Sequence, residues 1–250
     1  MLVTQSPKSV PTQPGLPGRG FRLNTRQIVV AGLLGSITAV MGVVPYLGLI
    51  PLPFSPAGHA TIMHIPVILA AVLEGPVVGG LVGFIFGLFS FMQATLPFFK
   101  DPIIAFVPRV LIGVFAYYAY VWVRRPQARA VVTAVLGLAV ARTVYEAGLM
   151  HPVTAGPGLW VALSAVVGLA VAAVAWLVLR GENAPPAMAA IVGTLTNTIL
   201  VLSLIVIRFK TFTPGMAFFV GLTHGLPELI VAVVLVVLLY RGIKASLKRG

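Results

Sequence analysis

Cysteine is absent from the 250-residue chain, which excludes a disulfide framework, a thiolate metal centre and a catalytic thiol. Carboxylates are almost as scarce. Only five Asp and Glu residues occur, and with Asp101 and Glu182 placed between apolar runs there is little left for metal chemistry. Charged side chains make up 9% of the chain, against about 25% in ordinary soluble domains. No G-x-x-x-x-G-K-[ST], H-E-x-x-H or G-x-S-x-G sequence occurs, so the chain carries no P-loop for ATP, no zincin site and no acyl-enzyme elbow. An enzyme is not expected, and no cofactor is implied.

What remains is apolar. Hydrophobic residues are 59% of the chain, arranged in runs that suit a bilayer, whose core of about 30 Å takes roughly 20 apolar residues per helix. The runs predict helical segments at Gln27–Val44, Ala60–Leu73, Pro76–Phe98, Pro102–Val123, Ala130–Met150, Leu159–Leu179, Ala187–Ile207 and Met216–Tyr240. The second is short for a perpendicular crossing and contains Pro66, as interrupted helices beside transporter sites do. A proline-rich stretch from Pro45 to Pro56 precedes it. The expected fold is all-α, a polytopic membrane helical bundle in a single membrane domain over 23–249. Residues 1–22 are rich in Pro, Gly, Ser and Thr without the compact apolar core of a signal peptide, and read as a disordered cytoplasmic tail.

The formal charge of +12 would suit nucleic acid, but the positions of the cations do not. They cluster in short segments flanking the apolar runs, where they anchor spans and set orientation. With the N-terminus inside, Arg19, Arg22, Arg26, Arg124, Arg125, Arg129, Arg180, Arg241 and Lys244 fall on the inner side and only Lys100, Arg208 and Lys210 on the outer. The expected location is the cell membrane, with both termini cytoplasmic and the lipid bilayer, not nucleic acid, as surrounding partner.

A few polar residues lie within predicted spans. Arg109, after Pro108, costs roughly 2.5–3.5 kcal/mol on insertion scales if left in lipid, so it faces protein or a water-filled cavity. A guanidinium there can grip a carboxylate in a bidentate fork, or pair structurally with Glu228. Glu228 in turn can neutralise Arg109 or accept a hydroxyl or amide hydrogen. Asn197, between Thr196 and Thr198, offers a donor and an acceptor to a ligand or to a neighbouring helix. His64 is a further candidate contact, more commonly a structural role for a lone histidine. Arg142 and Glu146, four apart, suit a structural pair. In the first span Ala31, Gly35 and Ala39 form a small-residue strip that lets another helix approach closely.

Together, the run Ala60-Thr61-Ile62-Met63-His64-Ile65-Pro66-Val67-Ile68-Leu69-Ala70, then Glu74-Gly75-Pro76, Gly83-Phe84-Ile85-Phe86-Gly87-Leu88, Pro108-Arg109-Val110-Leu111-Ile112-Gly113 and Gly193-Thr194-Leu195-Thr196-Asn197-Thr198 resemble the substrate-binding S components of energy-coupling factor (ECF) transporters. The similarity covers most of 27–123 and 186–240. It implies a six-helix core, with 130–180 as an added helical hairpin. It also implies high-affinity capture of a small-molecule vitamin or related micronutrient, docking on a transmembrane coupling protein, and ATP hydrolysis on two separate ATPase subunits. By the same resemblance the strip of Ala31 and Gly35, or Gly35 and Ala39, meets the coupling protein, and the proline-rich stretch covers the pocket. The resemblance leans toward the pantothenate-type branch: Arg109 suits the single carboxylate, and Asn197 with the threonines suits the amide and hydroxyls. Two other readings of the same residues are an ion-gradient-driven transporter using Glu228 as a proton carrier, and a non-transport scaffold subunit whose charges merely pair.

Overall fold

The computed structural model describes residues 23–44, 47–51, 59–94, 96–150 and 157–247. The expected N-terminal tail and most of the proline-rich stretch after the first helix lie outside these residues. Among the described residues eight α-helices follow one another: α1 (Thr25–Val43), α2 (His64–Glu74), α3 (Pro76–Met92), α4 (Pro102–Val123), α5 (Pro126–Met150), α6 (Pro157–Arg180), α7 (Ala184–Arg208) and α8 (Pro214–Leu247). Among the described residues six of them (α1 and α4 to α8) are long and apolar enough to cross a membrane. The all-α polytopic bundle expected from the hydrophobic runs is what forms.

Local chemistry sets the helix ends. Asn24 caps α1 through a capping box, its Oδ1 accepting from Gln27 N at 2.8 Å while Gln27 Oε1 accepts from Asn24 N at 3.0 Å. Gly75, at φ 98°, reverses the chain between α2 and α3, a backbone region that glycine enters without steric cost. Arg26 Nε meets Glu74 Oε1 at 2.6 Å and Gln27 Nε2 donates to Glu74 O at 3.2 Å, so the start of α1 is tied to that reversal. Asp101 caps α4 by accepting from Ile103 N at 2.9 Å.

Four predicted boundaries move by four residues or more: α5 starts at Pro126 rather than Ala130, α8 runs on to Leu247 rather than Tyr240, and two more change near short segments. The segment expected as helix from Ala60 starts instead as strand β2 (His59–Thr61), which pairs antiparallel with β1 (Leu49–Pro51), Leu49 opposite Thr61. Helix begins only at His64, with Pro66 in the first turn where a missing N–H is harmless. α3 ends at Met92 rather than Phe98, because Pro97 holds Leu96 extended at φ −92°, ψ 138° and starts a 3-10 turn over Pro97–Lys100.

α2 has 11 residues, about 16 Å at the helical rise or roughly half a bilayer core. Every side chain from His64 to Val72 is buried, which places this half-length helix at the centre. α3 lies on α4 with almost no side chain between them: a Cβ at Gly79 would stand 3.0 Å from the Gly113 Cα, and Gly83 faces the Arg109 carbonyl. The glycines at 79 and 83 therefore set how closely α3 approaches Arg109.

α5 and α6 pack on each other through Gly137 and Gly168, where an added Cβ at Gly137 would meet Gly168 O at 2.8 Å. They touch the bundle far less than each other. Their attachment is at the base, where Val123, Leu179 and Ala184 form a small cluster and Arg129 Nε donates to Val123 O at 2.8 Å. Because that cluster brings the end of α4 beside the start of α7, replacing residues 127–178 with a short Gly–Ser linker is expected to leave a chain that still melts cooperatively in detergent. Loss of the melting transition would show the hairpin to be integral to the core.

Candidate functional site

α4 carries Pro108 in its interior. A proline cannot donate to the carbonyl four residues back, which frees Ile104 O inside a membrane span. Arg109 fills the gap: Nη1 donates to Ile104 O at 2.6 Å, and Nη2 donates to Ser90 Oγ on α3 at 3.1 Å. The Phe86 and Phe99 rings flank the guanidinium, each centroid 5.3 Å from Cζ, at cation–π distance. Arg109 is only 4% exposed. Its Nε is buried with no hydrogen-bond partner among the described residues, and no carboxylate forms an ion pair with it there. Glu228 makes no ion pair with it, although the two charges are near enough to attract each other.

Arg109 opens on a cavity of about 160 Å³. Three helical faces and the ribbon build it. From α7 come Asn197, Val201 and Ile205, spaced by one turn. From α8 come His224 and Glu228, again one turn apart. The 3-10 turn adds Phe98 and Phe99, and the ribbon adds Thr61. Asn197 is buried with Oδ1 unpartnered among the described residues. Glu228, also buried, accepts from the Thr61 backbone N at 2.6 Å. The Thr223 hydroxyl lies 3.4 Å from His224 Nδ1.

The structure thus brings Arg109, Asn197 and Glu228 to one chamber. Thr196 and His64, the other two expected contacts, are not on its wall. Thr196 Oγ1 turns back to donate to Val192 O at 2.7 Å, the usual local bond of a helical threonine, while its neighbour Thr198 takes the wall position. His64 is wholly buried. Arg142 and Glu146 pair at 2.7 Å on α5, in the hairpin. Sequence reasoning missed Phe86, Ser90, Phe99 and Thr61. The pair Phe86 and Ser90 carried a signal, being four apart on one face of α3, with the lone hydroxyl in an apolar run.

The small-residue strip is also re-read. Gly35 is buried and faces Ile85 of α3, whose Cδ1 would lie 2.6 Å from an added Cβ. Ala31 and Ala39 are half-buried at the edge of that seam. The small residues of α1 that stand exposed are Gly32, with open space around it, and Ser36. Gly35, expected as a docking residue, is thus in contact with α3.

Above the cavity, Asp101 Oδ2 meets Arg208 Nε at 2.5 Å, and Phe98 packs edge-on against Phe209 and Phe212 at 5.0 and 5.7 Å. These contacts fasten the α3–α4 turn to the end of α7.

The family described as "ECF transporter, substrate-specific component" matches residues 26–151. The chain belongs to this family. The match contains Arg109 and runs through α5, the first arm of the hairpin, while Asn197 and Glu228 lie outside it. Membership in a family of non-catalytic membrane transport subunits agrees with the expectation that this S component is not an enzyme. Among curated proteins it is 32% identical over 109 residues to "Pantothenate transporter PanT" of Leuconostoc mesenteroides, covering 40% of this chain and 53% of that one. It is 31% identical over 90 residues to "Pantothenic acid transporter PanT" of Lactococcus lactis, covering 28% and 44%. The chain spans about half the length of these relatives. A solved S component of a bacterial ECF transporter superposes over 89% of this chain and 98% of its own, at 17% identity and a TM-score of 0.46.

Partial burial raises the Asp101 carboxyl, but the Arg208 guanidinium and the backbone N–H groups of Ile103 and Ile104 outweigh it and hold the group below the ordinary range. A depressed carboxyl contributes stability above its unfolded value, near 3.9, and loses it as pH falls through the folded value. The melting temperature of the wild type is therefore expected to fall more steeply than that of Asp101→Asn as pH is lowered from about 5 to 3. Parallel curves would rule out a contribution from this pair.

Proposed function

We propose that this S component is the high-affinity substrate-capture subunit of an ECF-type importer for a carboxylated water-soluble vitamin, with pantothenate the favoured guest. The observation that carries the reading is the buried Arg109 guanidinium, two of its nitrogens held by protein while Nε stays unpartnered beside a cavity. A buried cation with no ion pair among the described residues calls for an anion. Asn197 Oδ1 offers an acceptor to an amide or hydroxyl hydrogen, and the second carboxyl oxygen of Glu228 offers another. The names of the two curated relatives favour pantothenate over other vitamins with one carboxylate.

The chamber of about 160 Å³ is smaller than the roughly 300–1,000 Å³ of ligand pockets in general. A guest of pantothenate's size therefore enters with outward movement of a wall. Energy comes from elsewhere in this reading: a transmembrane coupling protein docks on the exposed side of α1, and two ATPase subunits hydrolyse ATP. Ala31 and Ala39 border that side, and Gly32 and Ser36 form its small surface. The N-terminus and the Arg124, Arg125 and Arg129 cluster face the cytoplasm, as the distribution of cations favours.

Titration of the purified protein with labelled pantothenate tests the site. Arg109→Ala is expected to weaken binding at least tenfold, or about 1.4 kcal/mol. Arg109→Lys should recover only part of this, since an ammonium lacks the planar fork. Binding by Arg109→Ala that equals wild type sinks the assignment. Docking has its own test, because a side chain at Gly32 meets open space. Gly32→Leu is expected to keep pantothenate affinity and to cut uptake at least tenfold in vesicles holding the whole transporter. Undiminished uptake would move the docking face elsewhere.

A further inference from the structure

The ribbon is too small to hold itself. β1 and β2 contribute three residues each, and an isolated two-stranded ribbon is at best marginal. Its Thr61 end is fastened on two sides. Toward α1 and α2, Ile62 N donates to Gly48 O at 3.0 Å, Thr61 Oγ1 donates to Gly48 O at 3.4 Å, and Met63 N donates to Thr61 Oγ1 at 3.3 Å. Toward α8, the Thr61 backbone N–H donates to Glu228 Oε1 at 2.6 Å. That N–H belongs to a residue paired with Leu49, yet it bonds away from β1, as an edge donor does. An edge donor in apolar surroundings needs an acceptor from elsewhere in the protein.

Glu228 is placed to be that acceptor. It is buried, forms no ion pair with Arg109, and makes no other hydrogen bond among the described residues. Pro227 precedes it inside α8, as Pro108 precedes Arg109 in α4. Thr61 and Glu228 both line the cavity, so the bond between them joins two walls that are distant in sequence.

We propose that Glu228 is a positioning residue whose carboxyl pins Thr61, and with it the ribbon wall of the cavity, to α8, and that this bond governs how long a guest is retained. The retention half rests on the chamber being the guest's site, as proposed above; the pinning half does not. One oxygen of Glu228 holds the wall and the other remains for a guest's donor, so a bound guest and the ribbon share a single carboxyl.

Amide hydrogen exchange over residues 59–62 tests the pinning in purified, ligand-free, full-length protein. Glu228→Leu keeps the bulk and removes the acceptor, Glu228→Ala is a second acceptor-less variant should the first not fold, and Glu228→Gln keeps Oε1. Exchange at Thr61 is expected to quicken at least tenfold in the Leu or Ala variant and to stay within threefold of wild type in Gln, with α2 unchanged. Unaltered exchange at Thr61 in an acceptor-less variant overturns the pinning, as does a Gln variant as fast as Leu. Labelled pantothenate then tests retention in Thr61→Pro, which removes the N–H donor and leaves the Glu228 carboxyl for the guest: dissociation at least tenfold faster, with association not slowed, supports it. Unchanged dissociation beside quickened exchange overturns it. Wild-type protein that binds no pantothenate would count against the substrate reading alone, leaving the exchange result to decide the pinning.

Discussion

A polar group inside a bilayer must find its partners within the protein, and that constraint shapes the centre of this molecule. Pro108 withdraws one backbone donor from α4, and Arg109 supplies the replacement from its own side chain. The same guanidinium then reaches α3 through Ser90 and lies between two phenylalanine rings. One proline–arginine pair thus repairs a helix, joins two helices and leaves the Nε nitrogen without an acceptor among the described residues.

That arrangement is possible only because α3 and α4 meet without side chains between them. Gly79, Gly83 and Gly113 bring the two backbones together, which carries Phe86 and Ser90 within reach of Arg109. The half-length α2 contributes in a different way. Only half a crossing long, it starts directly after the ribbon, whose Thr61 lines the cavity. The outer fastening of Phe98, Phe209 and Phe212, with Asp101 and Arg208, encloses the same chamber from another side. The hairpin of α5 and α6 stands largely apart from this construction, its contacts with the bundle few and gathered at its base.

Much of the fold was legible in the chain. Hydrophobic runs located all eight helices, and Pro102 and Val123 bounded α4 as expected. The departures at Ala60 and Phe98 both involve short segments in which local turn chemistry overrides hydropathy: Thr61 bonds to Met63 and Gly48, and Pro97 stops α3. The site was legible in part. Arg109, Asn197 and Glu228 stood out because polar atoms in an apolar run are costly wherever they point. Thr196 and Thr198 could not be told apart, since adjacent helical positions differ in direction by about 100° and hydropathy carries no information on which is turned inward. For the same reason the strip of Ala31, Gly35 and Ala39 gave a spacing without a partner, and the structure turns it toward α3.

By itself the sequence determined that this chain lives in a membrane, which stretches form its helices, and that a cation is buried in the fourth helix, because these follow from local hydropathy and from the cost of charge in hydrocarbon. Only the tertiary structure decided that Arg109 is held by Ser90 and two rings and not by Glu228, and that Glu228 instead holds the ribbon. Those choices depend on how each helix is rotated about its axis and on contacts between residues far apart in the chain, which no local pattern encodes.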